Sequence, residues 1–139
     1  MNMDEINNNS NVFEINGCEV IDIPTFYKEI NRVFMSNENW KIAESLDAFD
    51  DLLYGGFGAI KNNETVKIVW KNFEQNRKIL GKELTKQFYL KKLEQPEVFN
   101  TEFVKKQLDE LLQGIGKTYF EIILEIIANH PNIHLVEKG

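Results

Sequence analysis

The sequence predicts an α/β fold in which helices pack against a small parallel sheet. Three short segments, at residues 12–20, 65–70 and 133–136, read as strands because they contain β-branched residues and are bounded by polar turns. Segments with the apolar spacing of amphipathic helices lie between successive strands. This alternation favours parallel pairing, since a parallel strand is reached through a crossover connection. With 139 residues, of which 42% are hydrophobic, one domain over 12–139 is the simplest organisation.

The N-terminal part of the chain contains a polar segment, a strand and a helix. Residues 1–11 are rich in asparagine and predict a flexible tail, to which we assign no function. The first strand begins at Val12 and runs into an Asn-Gly turn, with residues 20–21 either completing it or forming a short second arm. Asp22 caps the first helix, which has a proline in its first turn and extends to about Met35.

A second, short helix follows a loop. The loop, residues 36–44, exposes Trp40. Ser45 is suited to cap the helix, and Gly55 and Gly56 end it.

This second helix has one face made largely of carboxylates. Asp47 and Asp51 stand four residues apart, where like charges repel each other. Asp51 also lies toward the negative end of the helix dipole. Local physics therefore disfavours the arrangement, and a functional surface is one expected reason for it. At about 100° per residue, the apolar side contains Leu46, Phe49, Leu52 and Leu53, and the polar side contains Asp47, Asp50, Asp51 and Tyr54.

The second half of the chain predicts four more helices and two strands. Proline, glycine and capping residues divide its apolar periodic segments. The predicted elements are the strand 65–70, a helix from about Asn72, two helical pieces within 81–118 that are separated around Pro96, an apolar helix over 119–128 and the strand 133–136.

Charge is distributed unevenly along the chain, whose net charge is −6. Residues 35–60 contain five acids and a single lysine, whereas residues 71–92 contain seven bases and two acids. An acidic patch attracts cationic partners and repels nucleic acid, and a basic stretch can contact phosphate. Solvated helix faces are the ordinary explanation of both stretches.

Cysteine content and hydropathy bear on the compartment. The single cysteine, Cys18, excludes an intramolecular disulfide framework and a cysteine-rich zinc site. The sequence contains no apolar run of the roughly 18 residues that a membrane span requires and no signal-peptide pattern. We therefore expect a cytoplasmic protein that does not interact with membranes.

A nucleotide-binding loop is one alternative to consider. The last three residues of the phosphate-binding loop motif are matched by Gly116, Lys117 and Thr118. In that motif, backbone amides and a lysine ammonium bind phosphates. That motif needs a glycine five positions before Gly116, where the chain has Leu111, and it should follow a strand. A junction between two helices is the better interpretation, and a nucleotide-binding or enzymatic domain remains the alternative.

Catalysis and metal binding have little support. His130 and His134 flank a proline, and this spacing does not place two ligands on one helical face, so they read as a turn residue and a strand-surface residue. Carboxylates suit Mg²⁺ or Ca²⁺, but a single helical face rarely encloses an ion. We find no nucleophile paired with a base. We expect no metal, no cofactor and no enzymatic activity.

Two motifs together resemble the barstar family of intracellular ribonuclease inhibitors. The first is Leu46-Asp47-Ala48 with Asp51 and Leu53, which has the form of that family's second helix. The second is Trp70-Lys71-Asn72-Phe73-Glu74-Gln75, which matches its next strand-to-helix junction. The similarity covers about 12–80 and 119–136, and residues 81–118 look like a helical insertion.

The resemblance implies a three-stranded parallel sheet packed by helices and inhibition by obstruction. In the family, the second helix and the preceding loop block the ribonuclease active site, and their carboxylates occupy the places of RNA phosphates. Asp47 and Asp51 match the two aspartates with this role, and Glu125 falls where the family has an accessory glutamate. Asp50 replaces a tryptophan of the family. The expected partner-binding residues are Trp40, Glu44, Asp47, Asp50, Asp51, Tyr54 and Glu125.

Taken together, the sequence predicts a non-enzymatic inhibitor or immunity protein. We expect a monomer that binds one ribonuclease toxin and no nucleic acid. The family's tryptophan and the aromatic pair of its preceding loop are both missing here, and Trp40 and Tyr54 are the candidate new anchors. These changes leave the identity of the toxin open. Besides the nucleotide-binding alternative, a nucleic-acid-binding domain would use the basic face that runs from Lys78 to Lys92.

Overall fold

The protein contains a three-stranded, all-parallel sheet with the strand order β1-β2-β3. The computed structural model describes residues 11–62 and 64–139. β1 is Val12–Asn16, β2 is Val66–Lys71 and β3 is Ile133–Glu137. The predicted α/β class and parallel sheet are confirmed. The predicted polar tail lies, except for Asn11, outside the described residues.

Helices connect the strands, as the apolar periodicity predicts. Among the residues that the structure describes, two α-helices lie between β1 and β2 and four between β2 and β3. Their ends agree with the predicted ends to within a few residues. In the described ranges the six α-helices are α1 (Ile23–Phe34), α2 (Leu46–Tyr54), α3 (Phe73–Ile79), α4 (Lys82–Leu93), α5 (Thr101–Leu112) and α6 (Tyr119–Ala128).

The segment after β1 differs from the prediction, because residues 20–21 form no strand. A 3₁₀ turn, Gly17–Glu19, ends β1, and the side chain of Asn16 accepts a hydrogen bond from the backbone amide of Cys18. Gly17 lies so close to β2 that an added Cβ would stand 2.1 Å from the carbonyl oxygen of Lys71. This close approach leaves no room for a Cβ and therefore requires glycine.

The sheet buries one face under the helices. In β2, Val66, Ile68 and Trp70 are buried, and Lys67 and Lys71 on the other face are exposed. Alternation of this kind follows from the two-residue period of a strand.

Trp70 lies at the centre of the core. It is fully buried, and its ring packs against Phe26, Phe73 and Phe120 with centroid distances of 5.9, 5.6 and 5.3 Å. Its Nε1 donates a 2.7 Å hydrogen bond to Oδ1 of Asn76, whose Nδ2 donates a 2.9 Å bond to the carbonyl of Gly17. This buried amide joins β2, α3 and the end of β1. Asn76 falls on the apolar side of α3, which is the signal that could have identified it in the sequence.

The helices α4 and α5 pack against each other and share a small hydrophobic cluster of their own. Tyr89 on α4 meets Val104, Leu108 and Leu111 on α5. Phe88 connects α4 to α6, because its ring packs edge to face with the ring of Tyr119, with the centroids 5.1 Å apart. The two helical pieces predicted within 81–118 are confirmed.

The cap of α1 makes a prediction about acid stability. Asp22 accepts hydrogen bonds from the backbone amide (2.9 Å) and the hydroxyl (2.7 Å) of Thr25, and these bonds lower the pKa of the Asp22 carboxyl. A carboxyl whose pKa is lower in the folded state than in the unfolded state stabilises the fold at pH values above its unfolded-state pKa. This stabilisation is lost as the pH falls through the folded-state pKa. We expect the free energy of unfolding to fall less for Asp22→Asn than for the wild type between about pH 5 and pH 2, because asparagine caps without titrating.

Urea titrations at several pH values measure this difference. Asp109→Asn, which changes an exposed aspartate on α5, is the control and should follow the wild type. Equal pH dependence of the wild type and Asp22→Asn would contradict the prediction.

Over the described parts of the chain, none of the helices combines the length and the apolar character that crossing a membrane requires.

Candidate functional site

The acidic helix α2 is fixed at both ends and along one side. The hydroxyl of Ser45 accepts a 3.1 Å hydrogen bond from the amide of Ala48, and Gly55 ends the helix in the left-handed conformation, with φ at 87°. Both helix ends were predicted and are confirmed. Phe49, Leu52 and Leu53 are buried in the core. The position of the polar side is therefore set by packing and by caps.

Asp47 and Asp51 are exposed on that polar side, one helical turn apart. Within the described ranges, neither carboxylate forms an ion pair. Their mutual repulsion is thus not compensated by a neighbouring cation in contact. These two charges are available to a partner.

Lys92 on α4 supplies a cation near this surface without pairing with it. Its ammonium lies over the rings of Phe88 and Phe99, 4.4 and 5.2 Å from their centroids. Burial lowers the pKa of Lys92, and the charge of Asp47 acts in the opposite direction. The helix α4 therefore contributes to the electrostatic surroundings of Asp47.

Asp50 differs from the other two aspartates because it already has a partner. Its Oδ1 lies 2.6 Å from Nε2 of His130, in the turn between α6 and β3. The ring of Tyr54 meets the same imidazole edge to face, with the centroids 4.5 Å apart. His130 is 4% exposed, whereas Tyr54 is 59% exposed. The predicted turn position of His130 is confirmed, but its burial and its contacts with α2 were missed.

The loop before α2 is held by one amide side chain. Oδ1 of Asn31 accepts a 2.8 Å hydrogen bond from the amide of Ile42, and Ile42 is buried. Trp40 is 45% exposed and packs against Phe57, with ring centroids 4.9 Å apart. Trp40 and Glu44 both line an open groove of about 970 Å³ beside α1. The structure thus brings these two predicted residues together.

A buried pair of tyrosines lies close enough to this end of the surface to be affected by its charge. The hydroxyls of Tyr27 and Tyr119 are 2.6 Å apart. Burial is the largest cause that raises the pKa of both phenols, that of Tyr119 to about 12, and the charge of Glu44 adds to the effect. Both phenols are therefore neutral, and they join α1 to α6.

Glu125 lies in a different setting. Its carboxylate pairs with the ammonium of Lys117. Both residues line a cleft of about 400 Å³ between α5 and α6, and the residues that form its walls include none from α2. The structure does not bring Glu125 into the groups that surround Asp50 or Trp40.

Two backbone amides and the lysine ammonium of the glycine-lysine-threonine loop already have partners within the protein. The amide of Gly116 donates to the carbonyl of Glu110 (2.9 Å), and the amide of Thr118 donates to Oε1 of Glu121 (2.9 Å). Lys117 is paired with Glu125, and a helix rather than a strand precedes the loop. This arrangement is a capped helix-helix junction rather than a cradle for phosphates.

The basic stretch is partly engaged as well. Arg77 pairs with Glu74 at 2.9 Å and lies over the rings of Phe73 and Phe120. Outside residues 1–10 and 63, no group of three or more histidine, cysteine, aspartate or glutamate side chains is placed to hold a metal ion. The exposed carboxylates of α2 differ from the glycine-lysine-threonine loop and from Arg77 in having no ion pair among the described residues.

Comparisons of the chain with protein-family models, curated proteins and solved structures gave no match.

Proposed function

We propose that this protein is a ribonuclease inhibitor of the immunity-protein type, which blocks the active site of a cationic ribonuclease with the acidic side of α2. The observation that carries the proposal is the exposed pair Asp47 and Asp51, on a helix that is capped at both ends and buried along its other side. Because the backbone of this helix is already held in place, little of the binding free energy is lost in ordering it when a partner binds.

The chemistry of ribonucleases explains why such a surface inhibits them. A ribonuclease gathers cationic side chains to bind a polyanion and to stabilise the charge that develops during phosphoryl transfer. A rigid acidic helix is complementary to that site. It excludes RNA by occupying the site and needs no chemistry of its own.

The resemblance to the barstar family supports the same proposal. That resemblance implies a three-stranded parallel sheet, and the structure has one. Since one fold serves many functions, the sheet alone does not argue for inhibition, and the proposal depends on α2. In the proposed complex, Trp40 and Tyr54 are the aromatic anchors and Glu44 extends the acidic surface. Glu125 is proposed as an accessory contact that must first leave Lys117.

The test is an inhibition assay with purified components. The probes are barnase and the product of the neighbouring open reading frame, each assayed for cleavage of a fluorogenic RNA while the inhibitor is titrated. We expect activity to be lost at one inhibitor per enzyme. No inhibition of either probe would contradict the proposal. Binding of Mg-ATP would instead favour the nucleotide-binding function at Lys117, and salt-sensitive RNA binding would favour the basic face between Lys78 and Lys92.

Association should depend on salt. The proposed surface is acidic and its target basic, so attraction speeds the encounter until ions screen it. We expect the association rate constant to fall by about tenfold or more between 50 and 500 mM NaCl, with little change in the dissociation rate. Stopped-flow fluorescence with barnase or the neighbouring product measures both rates. An association rate that is independent of salt would contradict the electrostatic mechanism.

A further inference from the structure

His130 is held rigidly by its own backbone. Its amide donates a 3.1 Å hydrogen bond to the carbonyl of Ile127 at the end of α6, and its carbonyl accepts a 3.0 Å bond from the amide of Ile133 at the start of β3. The side chain is almost completely buried. The imidazole is therefore a fixed point beside α2.

Two residues of α2 rest on this fixed point. Asp50 and Tyr54 are four residues apart, so they lie on the same side of the helix. An ionised carboxylate can only accept a hydrogen bond, so in the 2.6 Å contact Nε2 of His130 is the donor and Oδ1 of Asp50 the acceptor. The Tyr54 ring packs its edge on the same imidazole and leaves more than half of its surface to solvent.

These contacts divide the aspartates of α2 into two groups. Asp47 and Asp51 have no ion pair among the described residues, whereas Asp50 is tied to the turn between α6 and β3. The charge of Asp50 is thereby matched to an internal donor. Tyr54, one helical turn further along, contacts the same imidazole.

We propose that His130 is a positioning residue of the ribonuclease-binding surface. It contacts both Asp50 and Tyr54, so that Asp50 attaches α2 to the turn between α6 and β3, and Tyr54 is held in position to contact the partner. This inference rests on the proposed function. It predicts that Asp50, although acidic and partly exposed, acts through His130 rather than through the partner.

The test uses a matched set of variants. His130→Leu removes the donor and keeps an apolar side chain, and His130→Gln places an amide donor near the position of Nε2. His134→Gln is the control, because His134 is exposed on β3. With a ribonuclease that the wild type inhibits, we expect His130→Leu to raise the dissociation rate about tenfold, the ratio equivalent to about 1.4 kcal/mol. His130→Gln should restore most of the loss, and His134→Gln should match the wild type.

A double-variant cycle separates positioning from direct contact. Asp50→Ala should raise the dissociation rate as much as His130→Leu does, and the combined variant should be no worse than either single change. Additive losses would mean that Asp50 contacts the partner directly, and they would overturn the inference.

A measurement on the free protein keeps this inference separate from the proposed function. Amide hydrogen exchange at residues 51–56 should accelerate about tenfold in His130→Leu and Asp50→Ala, because the last turn of α2 loses its attachment. It should stay near the wild-type rate in His130→Gln. If the wild type inhibits no ribonuclease, the proposed function is wrong. The hydrogen-exchange rates then still test whether His130 and Asp50 attach α2 to the turn between α6 and β3. Unchanged exchange in both variants overturns the positioning role, and Asp50→Ala carries the test if His130→Leu does not fold.

Discussion

Replacing Asp47 and Asp51 together by alanine is expected to weaken the proposed ribonuclease complex by about a thousandfold or more, since two central charged contacts of an interface each contribute about 2 kcal/mol or more. Both carboxylates are exposed and have no ion pair among the described residues. Their loss removes attraction to the partner without leaving an unpaired group inside this protein. Titration calorimetry and inhibition assays, with a ribonuclease that the wild type inhibits, measure the change in the dissociation constant.

Folding stability should respond far less. Alanine relieves the repulsion between the two carboxylates and favours the helix, whereas removing Asp47 from the first turn loses a favourable interaction with the helix dipole. We expect the free energy of unfolding to change by less than about 1 kcal/mol.

The matched control neutralises two exposed acids on α5. Glu102→Ala with Asp109→Ala changes the net charge by the same amount on a different helix. This control should keep most of the affinity and lose only part of the long-range attraction. Inhibition by the Asp47 and Asp51 variant at the wild-type level would show that the acidic side of α2 is not the binding surface.

The largest change in stability is expected for Asn76→Ala. This substitution leaves the buried indole Nε1 of Trp70 without its acceptor. It also removes one of the two hydrogen bonds that the carbonyl of Gly17 accepts, the other coming from the amide of Val20. A buried polar group that loses its partner costs about 1–3 kcal/mol, so we expect the free energy of unfolding to fall by about 3 kcal/mol. Urea denaturation monitored by tryptophan fluorescence and circular dichroism measures it.

Two further variants locate the effect in the hydrogen bonds. Gln75→Ala changes the exposed neighbour on α3 and should cost less than about 0.5 kcal/mol. Trp70→Phe removes the indole donor, so its loss and that of Asn76→Ala should not add. A loss below about 1 kcal/mol for Asn76→Ala would show that the buried amide contributes little.

The elements of the fold were predicted where their signals are local. Asp22 and Ser45 cap their helices through hydrogen bonds that span three residues, and Gly55 ends α2 through its own left-handed backbone. Such interactions can be recognised from neighbouring letters in the sequence. The prediction for residues 20–21 was wrong where the surroundings are not local: Gly17, in the 3₁₀ turn that follows β1, lies against the backbone of Lys71 on another strand.

The acidic side of α2 was also predicted from a local signal, but that signal does not give the contacts of each aspartate. Helical spacing alone places Asp47, Asp50 and Asp51 on one side of α2, because residues three and four apart are neighbours on a helix. It cannot tell which of the three is already bound within the protein. His130 lies 80 residues from Asp50 in the chain, and no local pattern marks the pair.

The sequence by itself determined the α/β class, the ends of the helices and the acidic side of α2, since each follows from periods and caps a few residues long. Only the tertiary structure decided how those charges are used. It attaches Asp50 to His130, leaves Asp47 and Asp51 exposed, and engages Lys117 with Glu125. The physical reason is that a side-chain contact depends on which surfaces the packed helices and strands bring together, and that proximity is not encoded in the spacing of neighbouring residues.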